Sequence, residues 1–149
     1  MDDGRVPAEP SHPLLAHDRA SAWLGVRVQR IGDGHATITM AVRQEMLNGF
    51  GIAHGGMIFA LADTAFALAC NPASPADQPP GQAAGSGSIT VAAGADINFV
   101  RPALPGQVLT AVADRRHQAG RSGIYDISIY AEGELVAEFR GRSRTVPRT

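Results

Sequence analysis

The chain has 149 residues and a mass of 15.6 kDa, which fits one domain and leaves no room for two. It is 44% hydrophobic and 18% charged, so it can bury a core, and its net charge of -1 argues against a nucleic-acid surface. All 13 basic residues are Arg and the one cysteine is Cys70, which excludes a Schiff-base lysine, a Lys-bearing phosphate loop, an intrachain disulfide and a multi-cysteine zinc site.

Met1–Gly4 is acidic with no apolar stretch behind it, unlike a secretory signal. Residues 1–12, with Pro7 and Pro10, read as a flexible tail, and 13–149 as a single domain. A short helix is predicted from His12-Pro13-Leu14 to about Leu24, with Gly25 ending it. Residues 26–31 and 35–42 alternate apolar with polar residues about Gly32-Asp33-Gly34, which predicts two strands and a hairpin. Residues 43–52 read as a loop, with Asn48-Gly49 and Gly51 as turn residues. From Ala53 to Cys70, alanines and large apolar residues dominate, and a long central helix is predicted. Its apolar run, Met57 to Cys70, is shorter than about 18 residues and contains Asp63, so it reads as a core helix and not a membrane span. A cytoplasmic protein is expected. Residues 71–88 have almost no packing side chains and read as a long connection or tolerated insertion. Strands follow at 89–100, 107–117, 124–131 and 135–146. The fold class is α+β, an antiparallel sheet of about five or six strands packed on one hydrophobic helix.

The central helix is the informative part. The helical neighbours of Asp63 are Gly56, Phe59, Ala60, Phe66, Ala67 and Cys70, all apolar. A helix apolar all round is buried, so Asp63 is expected in a largely dry place. There its pKa would rise and it would become a better base near neutrality. At the helix start, His54-Gly55-Gly56 leaves backbone N–H groups at the positive end of the dipole with no side chains in the way. Gly55 or Gly56 could donate to a carbonyl oxygen, as in an oxyanion site. Gly55 and Asp63 are eight residues apart, roughly 12 Å along a helix. One copy cannot bring both to the same carbonyl. Two antiparallel copies can, so an enzyme of this type needs a dimer with its sites between subunits.

The pattern Asn48-Gly49-x-x-x-x-His54-Gly55-Gly56-x-x-x-x-x-x-Asp63-Thr64 resembles the hotdog-fold thioesterases. The run Leu61-Ala62-Asp63-Thr64-Ala65-Phe66-Ala67 looks like the phenylacetate-degradation branch, and so do Asn98-Phe99-x-Arg101-Pro102, Gly106, Gly120-Arg121 and Gly133-Glu134-Leu135-Val136-Ala137. This resemblance covers residues 15–146. It implies a long helix wrapped by a curved sheet, a homodimer often paired again into a tetramer, and hydrolysis of acyl-CoA thioesters. In that branch the favoured acyl groups are phenylacetyl and its ring-hydroxylated relatives. Carried over by position, Asp63 would activate water or attack the thioester carbon, and Gly55 would donate its N–H to the carbonyl. Asn48 and His54 would position the carbonyl, the water or the Gly55 turn. Gly56, Thr64, Arg121, Ser122, Gly123 and Arg142 are candidates for contact with substrate and its coenzyme A portion. No metal and no separate cofactor are expected, since coenzyme A arrives as part of the substrate. Several relatives carry a hydroxyl on the strand after the long loop. Here Val91-Ala92-Ala93-Gly94-Ala95 has none, and Thr90 or Thr64 are the substitutes at hand.

Arg140, Arg142, Arg144 and Arg148 would share one face of the last strand. His12, His17, His35 and His117 have no ligand-like spacing and read as surface or capping residues. Cys70 reads as a small hydrophobe rather than a nucleophile, and no Gly-x-Ser-x-Gly elbow exists. Two rival functions on the same fold are a hydratase or dehydratase using His54 and Asp63, and a non-catalytic acyl-CoA binding module.

Overall fold

The computed structural model describes residue 4 and residues 9–74 and 87–148. Most of the predicted tail and residues 75–86 of the predicted 71–88 connection lie outside the described residues.

A single α-helix, α2 (Gly55–Cys70), forms the centre of the fold. It begins two residues later than the composition suggested, because Ala53 is bridged to Leu47 and His54 serves as the N-cap. The strands are β1 (Arg27–Gly32), β2 (His35–Ala41), β3 (Ser88–Phe99), β4 (Val108–Ala119), β5 (Ser122–Ala131) and β6 (Glu134–Pro147). They form one antiparallel sheet in the order β1-β2-β4-β5-β6-β3. Antiparallel hairpins join every adjacent pair except β2–β4, which the α2 and β3 excursion separates, and β6–β3, which brings the excursion back. With the short N-terminal helix described below, this is the α+β arrangement read from the sequence.

Alternation explains which side of the sheet meets the helix. Ala36, Ile38 and Met40 of β2, Leu109, Ala111 and Ala113 of β4, Tyr125, Ile127 and Ile129 of β5, and Phe139 of β6 are all buried. They meet Ile58, Leu61, Ala62, Ala65, Phe66, Leu68 and Ala69 of α2. Each fully buried large aliphatic or aromatic side chain contributes about 1.5–3 kcal/mol. The alanines let the helix approach the sheet, and the rings of Phe66, Tyr125 and Phe139 fill the far end, with Phe66 centroids 5.5 Å from Tyr125 and 6.1 Å from Phe139.

One sheet covers only one side of a helix. Gly56 and Asp63 lie on the opposite face of α2 and Phe59 at its edge, and all three are exposed in the single chain. This corrects the expectation that Asp63 is dry: the helix is apolar all round, but one chain buries only part of it. Phe59 is anchored there by an edge-to-face contact with Phe139, centroids 5.1 Å apart.

The predicted N-terminal helix is two pieces, a 3-10 turn at Pro13–His17 and α1 (Arg19–Leu24). Asp18 divides them because it takes an extended conformation and caps α1 with its carboxylate. Gly25 ends α1 in the left-handed region, φ 73°, as the sequence suggested. His12 is a buried cap. Its Nδ1 accepts from the Leu14 N–H at 3.1 Å, and its Nε2 donates to the Asn71 carbonyl at 2.8 Å.

The core leaves no room at Gly141 of β6. A Cβ there would stand 2.7–2.9 Å from the Phe66 ring. Gly141→Ala is expected to lose about 1–3 kcal/mol by overpacking, read as a lower midpoint in urea denaturation. An unchanged midpoint would mean that Phe66 is free to move.

Candidate active site

The loop before α2 is fixed at several points. Ala53 N–H donates to Ala103 at 2.8 Å, and His54 N–H to Met46 at 2.7 Å. Asn48 closes the turn at Asn48–Gly51: its Oδ1 accepts from Phe50 N–H at 2.9 Å and Ile52 N–H at 3.4 Å. The amide nitrogen of Asn48 has no hydrogen-bond partner among the described residues.

His54 settles which glycine N–H is available. Its Nδ1 accepts from Gly56 N–H at 2.9 Å, so the neutral ring carries its hydrogen on Nε2. The His54 carbonyl accepts from Met57 and Ile58 at 2.9 and 3.3 Å. Gly55 N–H has no partner among the described residues and stands at the positive end of the helix dipole. Of the two donors the sequence left open, Gly55 is therefore the free one and Gly56 the capped one.

Gly55 and Asn48 line one cleft of about 350 Å³ with Ile52, Ile58, Phe99 and Arg101. Phe99 lies over the helix start. A Cβ on Gly55 would come within 3.0 Å of its ring, so glycine is needed here for close approach. The sequence reading gave Phe99 and Arg101 no place in the site. Their motif was visible, but only the pairing of β3 with β6 carries the end of β3 to the start of α2.

Asp63 stands two turns further along α2 and does not line that cleft. Partial burial pushes its pKa above the ordinary carboxylate range, and the charge of Asp18 raises it further. Thr64 is placed elsewhere. Its hydroxyl is 2.9 Å from Ser21 Oγ and ties α2 to α1. Thr90 is engaged too, with Thr145 at 2.9 Å and through its backbone with the Asn71 side chain. Each of these hydroxyls already has one side-chain partner. Cys70 is half-buried, and burial pushes its thiol up to about 12, which makes it inert.

A second cleft of about 350 Å³ lies across β3, β4, β5 and β6. Ser122, Gly123 and Arg142 line it, as the sequence grouped them, together with His117, Ser143 and Arg144. Ser122 and Gly123 belong to β5 rather than to a turn, and Arg121 lies outside this lining. Gly94 makes room for Arg142: a Cβ there would meet the guanidinium at 2.5 Å. Arg142 has one long contact, to Asp96 at 3.5 Å, and Arg144 one to Ser122 Oγ at 3.5 Å. Arg140 is committed to Asp126 by two hydrogen bonds of 2.7 and 3.0 Å. Arg148 lies one residue beyond the end of β6, so the strand itself carries Arg140, Arg142 and Arg144 of the expected four. Among the described residues no cluster of three or more His, Cys, Asp or Glu could hold a metal ion, and no helix is long and apolar enough to cross a membrane.

The thioesterase superfamily matches residues 50–138. The chain is 39% identical to the acyl-coenzyme A thioesterase PaaI of Escherichia coli, over 93% of this chain and 91% of that protein. It is 29% identical to a putative esterase of Archaeoglobus fulgidus, over 86% and 75%. The solved structure of the E. coli PaaI protein superposes with a TM-score of 0.79 over 91% of this chain and 90% of that one. A variant of the phenylacetic acid degradation protein PaaI of Thermus thermophilus, 32% identical, gives 0.72 over 89% and 100%.

Because His54 caps α2, His54→Ala is expected to cost about 1 kcal/mol in urea denaturation, and His54→Asn to recover most of it. Equal losses in both variants would mean that the cap is not what His54 supplies.

Proposed function

Because this chain belongs to the thioesterase superfamily and is an acyl-CoA thioester hydrolase, we propose that it cleaves phenylacetyl-CoA and its ring-hydroxylated relatives at sites shared between two subunits. The free N–H of Gly55 in an apolar cleft is the observation that carries this reading. The thioester carbonyl oxygen accepts from it, and the amide of Asn48 is the nearby second donor. Asp63 of the other subunit takes a proton from water as the water oxygen bonds to the carbonyl carbon. The negative charge that develops on the carbonyl oxygen faces Gly55, where the helix dipole favours it. Collapse of this intermediate breaks the C–S bond. Coenzyme A leaves as the thiol once it has regained the proton, and the acid is released. The same carboxylate could attack the carbon itself and be freed by water afterwards, with the same overall balance.

Two observations support the dimer. The outer edge of β3 pairs with nothing among the described residues, and an open twelve-residue edge invites pairing with another copy. Its apolar residues Val91 and Phe99 are 40% and 54% exposed, and Phe59 beside Asp63 is 37% exposed. A partner covering this side would bury the face of α2 that one chain leaves open. A pairing of dimers into a tetramer is the further expectation. Ser122, Arg142 and Arg144 would take the phosphates of coenzyme A, since Arg suits phosphate geometry. The apolar lining by Phe99, Ile52 and Ile58 suits an aryl group better than a charged one.

Thiol release from phenylacetyl-, acetyl-, benzoyl- and long-chain acyl-CoA ranks the substrates, with phenylacetyl-CoA expected first. Asp63→Asn is expected to lose roughly a hundredfold or more in kcat while keeping its fold. Equal activity in the variant would make Asp63 structural. Hydration of crotonyl-CoA without thiol release would make the protein a hydratase, and tight binding without turnover a binding module. Arg142→Ala is expected to raise KM for a CoA thioester roughly tenfold and to leave the corresponding N-acetylcysteamine thioester unchanged. A parallel loss on both would place Arg142 away from the nucleotide.

A further inference from the structure

Helix α1 is held on α2 by a hydrogen-bonded chain that ends beside Asp63. Asp18 accepts from Ser21 N–H at 2.9 Å and from the Ser21 hydroxyl at 2.6 Å. That hydroxyl has one hydrogen, and Asp18 takes it. The Ser21 oxygen therefore accepts from the Thr64 hydroxyl at 2.9 Å. Ser21, the middle link, is buried, and Asp18 and Thr64 at its two ends are half-buried. Thr64 directly follows Asp63. Capping alone does not require a charge here, since Asn or Ser caps a helix about as well as Asp. A carboxylate next to another carboxylate is otherwise unfavourable.

We propose that Asp18 is a positioning residue for the reaction at Asp63: hydrogen-bonded to Ser21 and through it to Thr64, it sets a second negative charge on α1 against the stretch of α2 that carries Asp63. This rests on the reading of Asp63 as the working carboxylate. Arg43 packs on α1 at its far end, where its guanidinium donates to the Trp23 and Leu24 carbonyls and stacks on the Trp23 ring. His17 and Arg19 flank Asp18 in sequence but are exposed to solvent. On α2 the Cys70 thiol lies two turns on and stays uncharged. The inner face of the sheet carries Arg115 and Tyr125, and these group with Cys70 at the far end of α2. Its other residues there are aliphatic, aromatic, Ser or Thr. Burial is the larger cause of the raised proton affinity of Asp63, and the charge of Asp18 adds to it.

The test is the titration of Asp63 in the full chain, followed by its side-chain carboxyl carbon in NMR and by the acid limb of kcat/KM. Removing a negative neighbour makes the charged form of Asp63 easier to reach, so its pKa falls and activity persists to lower pH. Asp18→Asn keeps the cap. It is expected to shift both readouts to lower pH, because a like charge is removed. The shift should shrink as salt is added. Asp18→Ala should shift in the same direction and also lower the melting temperature. If Asp63 titrates unchanged in Asp18→Asn, the proposal is overturned, whether or not the enzyme turns over. If Asp63→Asn stays fully active, the reading of Asp63 as the working carboxylate falls, whatever the titration gives.

Discussion

The spacing of an α-helix governs this molecule. The proposed oxyanion donor, Gly55, and the proposed working carboxylate, Asp63, both ride on α2, eight residues and roughly 12 Å apart, while a thioester carbonyl group would need both within about 3 Å of its reacting atoms. No rearrangement of loops removes that mismatch, because both groups are fixed to one rigid element. Other features of the fold are consistent with a second copy resolving it. One sheet covers one side of α2 and leaves the side bearing Asp63 and Phe59 open. The sheet ends on a long strand whose outer edge is unpaired among the described residues.

The two ends of α2 are chemically different. At the N-terminus, His54 takes the Gly56 N–H and leaves that of Gly55. A side chain at position 55 would collide with Phe99, so the same glycine that frees the donor also lets an aromatic ring close over it. At the C-terminus, Asn71 and His12 bind the chain back to β3 and to the N-terminal turn. The N-terminal segment is thus tied to both the middle and the end of the helix, which is why the short α1 is more than a covering element.

Much of this was legible before the structure. Alternation in 35–42 and 124–131 predicted strands facing a core, and the turn residues placed their ends to within a few positions. The composition of 53–70 predicted the helix, since no strand pattern competes there. What sequence could not give is what non-local pairing creates. Phe99 and Arg101 enter the cleft only through the register of β3 on β6. The exposure of Asp63 depends on how far one curved sheet reaches around a helix, which no local pattern encodes. The choice of Gly55 over Gly56 turns on a single imidazole lone pair. Asp18 was hidden because a cap and a charge are the same letter in a sequence.

Cys70 shows how the same environment sorts nucleophiles. Thiols outrank carboxylates as nucleophiles only as thiolates. Burial pushes the Cys70 thiol up to about 12, and the charge of Asp63 adds to the shift. The surroundings that penalise charge on Cys70 penalise it on Asp63 as well, but with opposite consequence. A carboxylate starts far below neutrality, so a raised proton affinity makes it a better base. A thiol starts near 9.0, so the same rise keeps it protonated. One partly buried, negatively biased stretch of helix therefore silences its cysteine and strengthens its aspartate as a base.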